Sequence, residues 1–179
     1  MLDAEELLHL AMKNIQENKS TEALDLLNKC VQIEPNNALA IYLIAAQHAE
    51  IGMYDRAQAG MEKALDLDPS LEMASLQLGL LYGHKEELDK AIATWTSLIE
   101  KTSSQYIKTF CLGLTAICED KIERGLELLE QGKKENQDNP ALNVSIQNII
   151  DSLGSDESAT EQPIESDSTF LGAYRDKSV

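Results

Sequence analysis

The side chains in this 179-residue chain that could carry chemistry are few, and their spacing does not suit it. Cys30, Cys111 and Cys118 are an odd number with no framework spacing, which points to reduced thiols rather than a disulfide scaffold. Cys111 and Cys118 stand seven apart on one expected helix, about 10 Å along its axis, an arrangement that favours packed thiols over a metal or redox site. His9, His48 and His84 fall on different expected helices, and no His or Cys pair has the i, i+4 or CxxC spacing of metal ligands. No Gly-rich phosphate loop, nucleophile elbow or HExxH sequence occurs, and the carboxylates disperse over expected solvated helix faces. The expectation is a protein with no catalytic, cofactor-binding or metal-binding residues.

Thirty-one acidic against fifteen basic residues give a formal charge of -16, so the long-range field repels phosphate backbones and anionic lipid headgroups. Nucleic acid and membrane insertion are therefore not expected. The start, Met1-Leu2-Asp3-Ala4-Glu5-Glu6, is acidic where a secretory signal needs positive charge, and no apolar run approaches the roughly 20 residues of a spanning helix. A cytoplasmic location is expected. Aromatic residues make up only 4% while Ala, Leu and Ile abound, a composition suited to closely packed helices. The uncharged stretch 35–49 is too short to span a membrane and reads as a buried helix.

The elements that would position any site come from a repeat. Ala23-Leu24-Leu27-Cys30-Val31-Ile33 is closed by Glu34-Pro35, and Ala57-Met61-Ala64-Leu65-Leu67 by Asp68-Pro69, with the prolines 34 residues apart. Between them lie Ile41, Ile44, Ala45 and His48, then the turn Gly52-Met53-Tyr54-Asp55. A shift of 34 onward predicts Leu78, Gly79, Tyr82, Ala91 and Trp95; a shift back gives Leu10, Ala11, Ala23, Leu27 and Cys30. A further shift gives Leu112, Gly113, Ala116, Gly125, Leu129 and Gly132. Small residues recur where two helices crossing at about 8–10 Å leave no room for larger ones, so Gly79, Gly113 and Ala57 are expected to be packing residues.

With this pattern the chain resembles the tetratricopeptide-repeat (TPR) family over about residues 4 to 137. The resemblance implies an all-α fold, a right-handed α-solenoid of stacked antiparallel helix pairs in about four units, 4–37, 38–71, 72–105 and 106–137. Asn139-Pro140 then offers a cap and first turn for a capping helix over 140–153, with Leu142, Ile146, Ile149, Ile150 and Leu153 on one stripe. Its other face, Asn143, Gln147, Asn148 and Asp151, is expected to be the polar exterior that stops stacking. Residues 1–153 form the expected repeat domain. From 154 to 179 the composition turns to Ser, Asp, Glu and Thr with Pro163, which predicts a disordered acidic tail.

In the TPR family the first helices line a concave groove, and the same register places thirteen main residues there, Leu8, Met12, Leu39, Tyr42, Leu43, Ala46, Met73, Leu76, Gln77, Leu80, Ile107, Phe110 and Leu114, and also Gln16 and Cys118. Helix packing is expected to fall instead to Leu10, Ile44, Leu78 and Leu112. Family members that grip a peptide carboxylate would carry Lys, Asn or Arg at Leu8, Met12, Leu43, Met73 and Gln77; none matches, so that activity is not implied. An apolar, Met-bearing groove fits a protein or peptide client with an apolar or amphipathic helix segment, which makes the chain a chaperone, adaptor or scaffold. The alternative is that the same groove joins two copies as a homodimer. Phe170, Leu171 and Tyr174 stand at i, i+1 and i+4, one side of a helical turn, and are candidates to dock in that groove.

Overall fold

The computed structural model describes residues 2–154, over which nine α-helices follow one another with short turns and no strand. They are α1 (Ala4–Gln16), α2 (Ser20–Ile33), α3 (Ala38–Glu50), α4 (Tyr54–Leu67), α5 (Glu72–His84), α6 (Leu88–Lys101), α7 (Gln105–Cys118), α8 (Ile122–Glu135) and α9 (Pro140–Gly154). Helices α1, α3, α5 and α7 are the first members of successive pairs, and α2, α4, α6 and α8 the second. The second helices begin at Ser20, Tyr54, Leu88 and Ile122, each 34 residues after the last.

The period is visible in the backbone hydrogen bonds as well as in the helix starts. Every first helix ends with one residue in the left-handed region: Asn18, Gly52, Glu86 and Asp120, again 34 apart. The next N–H reaches back five residues, from Lys19 to Asn14, Met53 to His48, Glu87 to Tyr82 and Lys121 to Ala116, at 2.8–2.9 Å. The left-handed residue itself donates to a carbonyl three back, which completes a Schellman ending that satisfies carbonyls the helix would leave open. Glycine occupies only the second of the four positions; the other three endings hold a Cβ-bearing residue there, at a cost that glycine avoids.

The helices then pair through the small slots. Each second helix buries three residues at i, i+4 and i+7: Ala23, Leu27 and Cys30; Ala57, Met61 and Ala64; Ala91, Trp95 and Leu98; Gly125, Leu129 and Gly132. Opposite them the first helices come close. A Cβ built on Gly79 would lie 2.1 Å from Trp95 Nε1, and one on Gly113 would lie 3.0 Å from Leu129. The Trp95 indole fills the space a side chain at 79 would take, and its N–H donates to the Leu76 carbonyl at 3.1 Å. Each pair packs on the next as well: α2 on α3, α4 on α5 and α6 on α7.

Helix α9 lies against α8 and begins as its sequence suggests, the Asn139 side chain accepting from the Leu142 N–H at 3.1 Å. Leu142 and Ile146 are buried. Its polar face departs from the expected free exterior in part: Asn148 and Asp151 are exposed, whereas Asn143 and Gln147 are engaged. Asn143 is half-buried and donates to the carbonyls of Lys133 (3.2 Å) and Asn136 (3.1 Å), and Gln147 accepts from Lys133. A helix packed mainly against one neighbour can spend polar side chains on that neighbour's unsatisfied last carbonyls, and α9 does so on α8. The expected disordered tail, including Phe170, Leu171 and Tyr174, lies outside the described residues apart from Gly154, which ends α9.

Candidate functional site

The site expected from the sequence is the row of first-helix side chains facing away from the second helices. Of the thirteen residues expected there, Leu8, Met12, Leu39, Met73 and Leu80 are partly exposed and rest on the core. The other eight, Tyr42, Leu43, Ala46, Leu76, Gln77, Ile107, Phe110 and Leu114, are buried to within 4% exposure and so offer no surface to a partner in this arrangement. The reason lies in the neighbours of an inner first helix. Helix α3 packs on both α2 and α4, α5 on both α4 and α6, and α7 on both α6 and α8. Tyr42 adds a tie between first helices, its hydroxyl donating to Gln77 Oε1 at 2.7 Å in the interior.

The expected packing slot is corrected in the same way. Leu78 is buried at 5% exposure and Ile44 half-buried, but Leu10 and Leu112 are 41% and 47% exposed. The residues that meet the second helix are the next ones along, Ala11, Ala45, Gly79 and Gly113. At 3.6 residues per turn one step swings a side chain about 100°, so a slot adjacent to the contact points away from it. Leu10 and Leu112 lie on the first helices of the first and fourth pairs, α1 and α7.

A polar seam between pairs escaped the sequence reading altogether. Glu62, expected on a solvated face, is half-buried and accepts from the Tyr82 hydroxyl at 2.7 Å and from Gln58 Nε2 at 2.8 Å. Lys85 extends the network to Gln58 (2.6 Å) and Asp55 (3.0 Å). Burial first, then the hydrogen bond to Glu62, holds the Tyr82 hydroxyl well above its ordinary range, so it remains a donor. The signal available beforehand was Tyr82 itself, at the aromatic slot of the repeat; its acceptor twenty residues earlier carried none.

The groups with reactive potential are set against reactivity. Burial pushes the Cys111 thiol up to about 12, and burial also raises Cys30 and Cys118, so all three are protonated and poor nucleophiles at neutral pH. Burial lowers His48, with Arg56 adding to the effect, and His84 lies 4.4 Å from the Tyr54 ring. Among the described residues no three His, Cys, Asp or Glu side chains are grouped to hold a metal ion. Nor is any described helix long and apolar enough to cross a membrane.

With this geometry established, comparison with known proteins places the fold. No family model matches the chain. A stretch of 102 residues, 56% of the chain, is 24% identical to peptidyl-prolyl cis-trans isomerase FKBP4 of Bos taurus, and the chain spans only 22% of that protein's length. Among solved structures, PilF of Pseudomonas aeruginosa superimposes with a TM-score of 0.64 at 17% identity, over 88% of this chain and 78% of that one. PilW, a type IV pilus biogenesis factor, gives 0.64 at 15% identity over 96% and 89%. MamA of Desulfovibrio magneticus RS-1 gives 0.60 at 19% identity over 86% and 85%. These are TPR-type structures, and the present chain has the same all-α helical-repeat fold. At such identities the likeness is one of fold.

Proposed function

We propose that this chain is a non-catalytic protein-interaction module, a chaperone or adaptor that holds an apolar or amphipathic segment of another polypeptide against the open side of its first helices. The observation that carries the reading is the recurrence of partly exposed apolar side chains at equivalent slots. Leu39 and Met73 share one slot of the repeat, Met12 and Leu80 another, and Leu8 completes the row on α1. Apolar anchors at that spacing suit a segment running across several units, and methionine adapts to the shape it meets. The buried, protonated thiols fit a binding role better than thiol chemistry.

The energetics favour a long client segment. A fully buried aliphatic side chain contributes about 1.5–3 kcal/mol, but these five have already lost part of their exposed area to the core. Association costs about 4–15 kcal/mol. One turn of helix from a separate molecule is too little, so such a client crosses more than one unit; only a segment tethered to the same chain is spared most of that cost.

The test uses a photo-crosslinking residue placed at Met12 or Met73, with controls at Ile33 and Leu67, which are exposed near the ends of second helices. Crosslinks to the same polypeptide from both first-helix positions and from neither control support the reading; equal capture from all four positions refutes it. Should the crosslinked species be a second copy of this chain, with a concentration-dependent dimer by ultracentrifugation, the face belongs to self-association instead.

A further inference from the structure

The partly exposed first-helix row has no described helix lying across it, and residues 155–179 follow in sequence on α9, which packs on α8 of the fourth pair. Those residues divide sharply by composition. Positions 155–168 carry Asp156, Glu157, Glu161, Glu165 and Asp167 with Pro163, and Ile164 is their one large aliphatic side chain. Positions 170–177 then bring Phe170, Leu171 and Tyr174 together with two cations, Arg175 and Lys177, and one anion between them, Asp176, for a net charge of +1. These are the two basic residues after position 154, against six acidic ones, so residues 1–154 hold twelve of the sixteen net negative charges.

We propose that the segment Phe170–Lys177 of the same chain docks on this first-helix face, with its three apolar side chains meeting the row formed by Met12, Leu39, Met73 and Leu80. The inference rests on the face being a binding face, as argued above, and names an occupant for it. Three features support the match. The spacing of Phe170, Leu171 and Tyr174, i, i+1 and i+4, would put all three on one side of a helical turn on docking, and the row offers apolar slots at the repeat spacing. The cationic end suits a strongly acidic body, and exposed Glu5 occupies on α1 the slot that Leu39 and Met73 occupy on α3 and α5. The fifteen residues 155–169 reach about 50 Å at full extension, whereas neighbouring helices stack at about 8–10 Å, so every unit is within range. Docked in this way, the segment is an internal competitor at an effective concentration in the millimolar range, and a client must displace it.

The experiment places p-benzoylphenylalanine at Phe170 in the full chain, irradiates it and maps the crosslinks by peptide sequencing. The expected result is intrachain crosslinks to α1, α3 and α5, with a yield unchanged on tenfold dilution. The yield should fall at least fivefold in the Met73→Glu/Leu80→Glu variant, whose helicity is checked by circular dichroism. Intrachain crosslinks confined to other surfaces, or no crosslinks, overturn the proposal, as do interchain crosslinks that vanish on dilution, which make a second copy the occupant. The two readings fail separately. A client crosslinked from Met73 while Phe170 finds no first helix leaves the interaction module standing without its internal competitor; Phe170 mapped to the row while Met73 captures no client leaves the reverse.

Discussion

Each second helix fully buries three residues and keeps the rest half-buried or exposed, whereas α3 buries eight of its thirteen residues and α5 seven of thirteen. Both kinds of helix obey the same 34-residue period, so the difference is not one of pattern but of neighbours. A second helix needs one apolar stripe because its main partner is the first helix of its own pair. An inner first helix meets two second helices and is tied to the first helix beyond, and a helix apolar on nearly every side is the form such surroundings require. Helix α1 makes the point by contrast: among the described residues its main packing partner is α2, and it buries only Ala4, Leu7, Ala11 and Ile15, a single stripe. The stacking of units therefore consumes most of the surface that the family pattern assigns to a groove, and a partner is left the residues between the contacts.

The comparison is broken most severely by a charge in an inner first helix. Leu76→Asp places a carboxylate where the side chain is fully enclosed, and the expected loss is about 4 kcal/mol or more in urea unfolding, enough to abolish folding. Such a variant is no probe of partner binding, in contrast with Met73→Glu three residues away, which should stay folded. Next comes the second-helix stripe. Trp95→Ala removes the indole that fills the space over Gly79 and should cost about 3–5 kcal/mol, and Ala57→Leu, overfilling an enclosed small slot, about 1–3 kcal/mol, both read from denaturation midpoints.

The polar seam sharpens the contrast at lower energy. Tyr82→Phe should lower stability by about 0.5–1.5 kcal/mol, and Glu62→Ala by a similar amount, with a double variant less than additive because both changes remove one hydrogen bond. The pH dependence follows from the raised groups. Cys111 and Tyr82 are held protonated in the folded chain above their ordinary values of 9.0 and 10.0, so the unfolded chain releases these protons first as pH rises. Stability from this source is intact below about pH 9 and falls through about pH 12, and Cys111→Ala should flatten the first part of that fall.

The smallest effects lie where the two kinds of helix are joined and where the array ends. Glu86→Gly relieves a side chain held at φ 60° and should stabilise by about 0.5–1 kcal/mol, whereas Gly52→Ala, at φ 76°, should destabilise by a similar amount. Leu112→Ala, in a slot that is exposed at this unit, should change the melting temperature little, within about 0.5 kcal/mol. A large loss at Leu112 would mean that the first helices pack through that slot after all.

Much of this architecture was legible because it is local or periodic. Pro35 and Pro69 set the spacing, Gly79 and Trp95 stand as a complementary small and large pair, and Asn139-Pro140 marks the start of α9, each by chemistry that acts within a turn or repeats every 34 residues. What could not be read was the phase of the inner first helices. The run Ala38-Leu39-Ala40-Ile41-Tyr42-Leu43-Ile44-Ala45-Ala46 is apolar all round, so it has no face from which to infer which side a neighbour covers. Only the assembled stack decides that Leu43 and Leu76 are enclosed, that Leu10 and Leu112 are not, and that Glu62 meets Tyr82. Those outcomes depend on how several helices converge around one, and no spacing along a single helix encodes the directions from which its neighbours arrive.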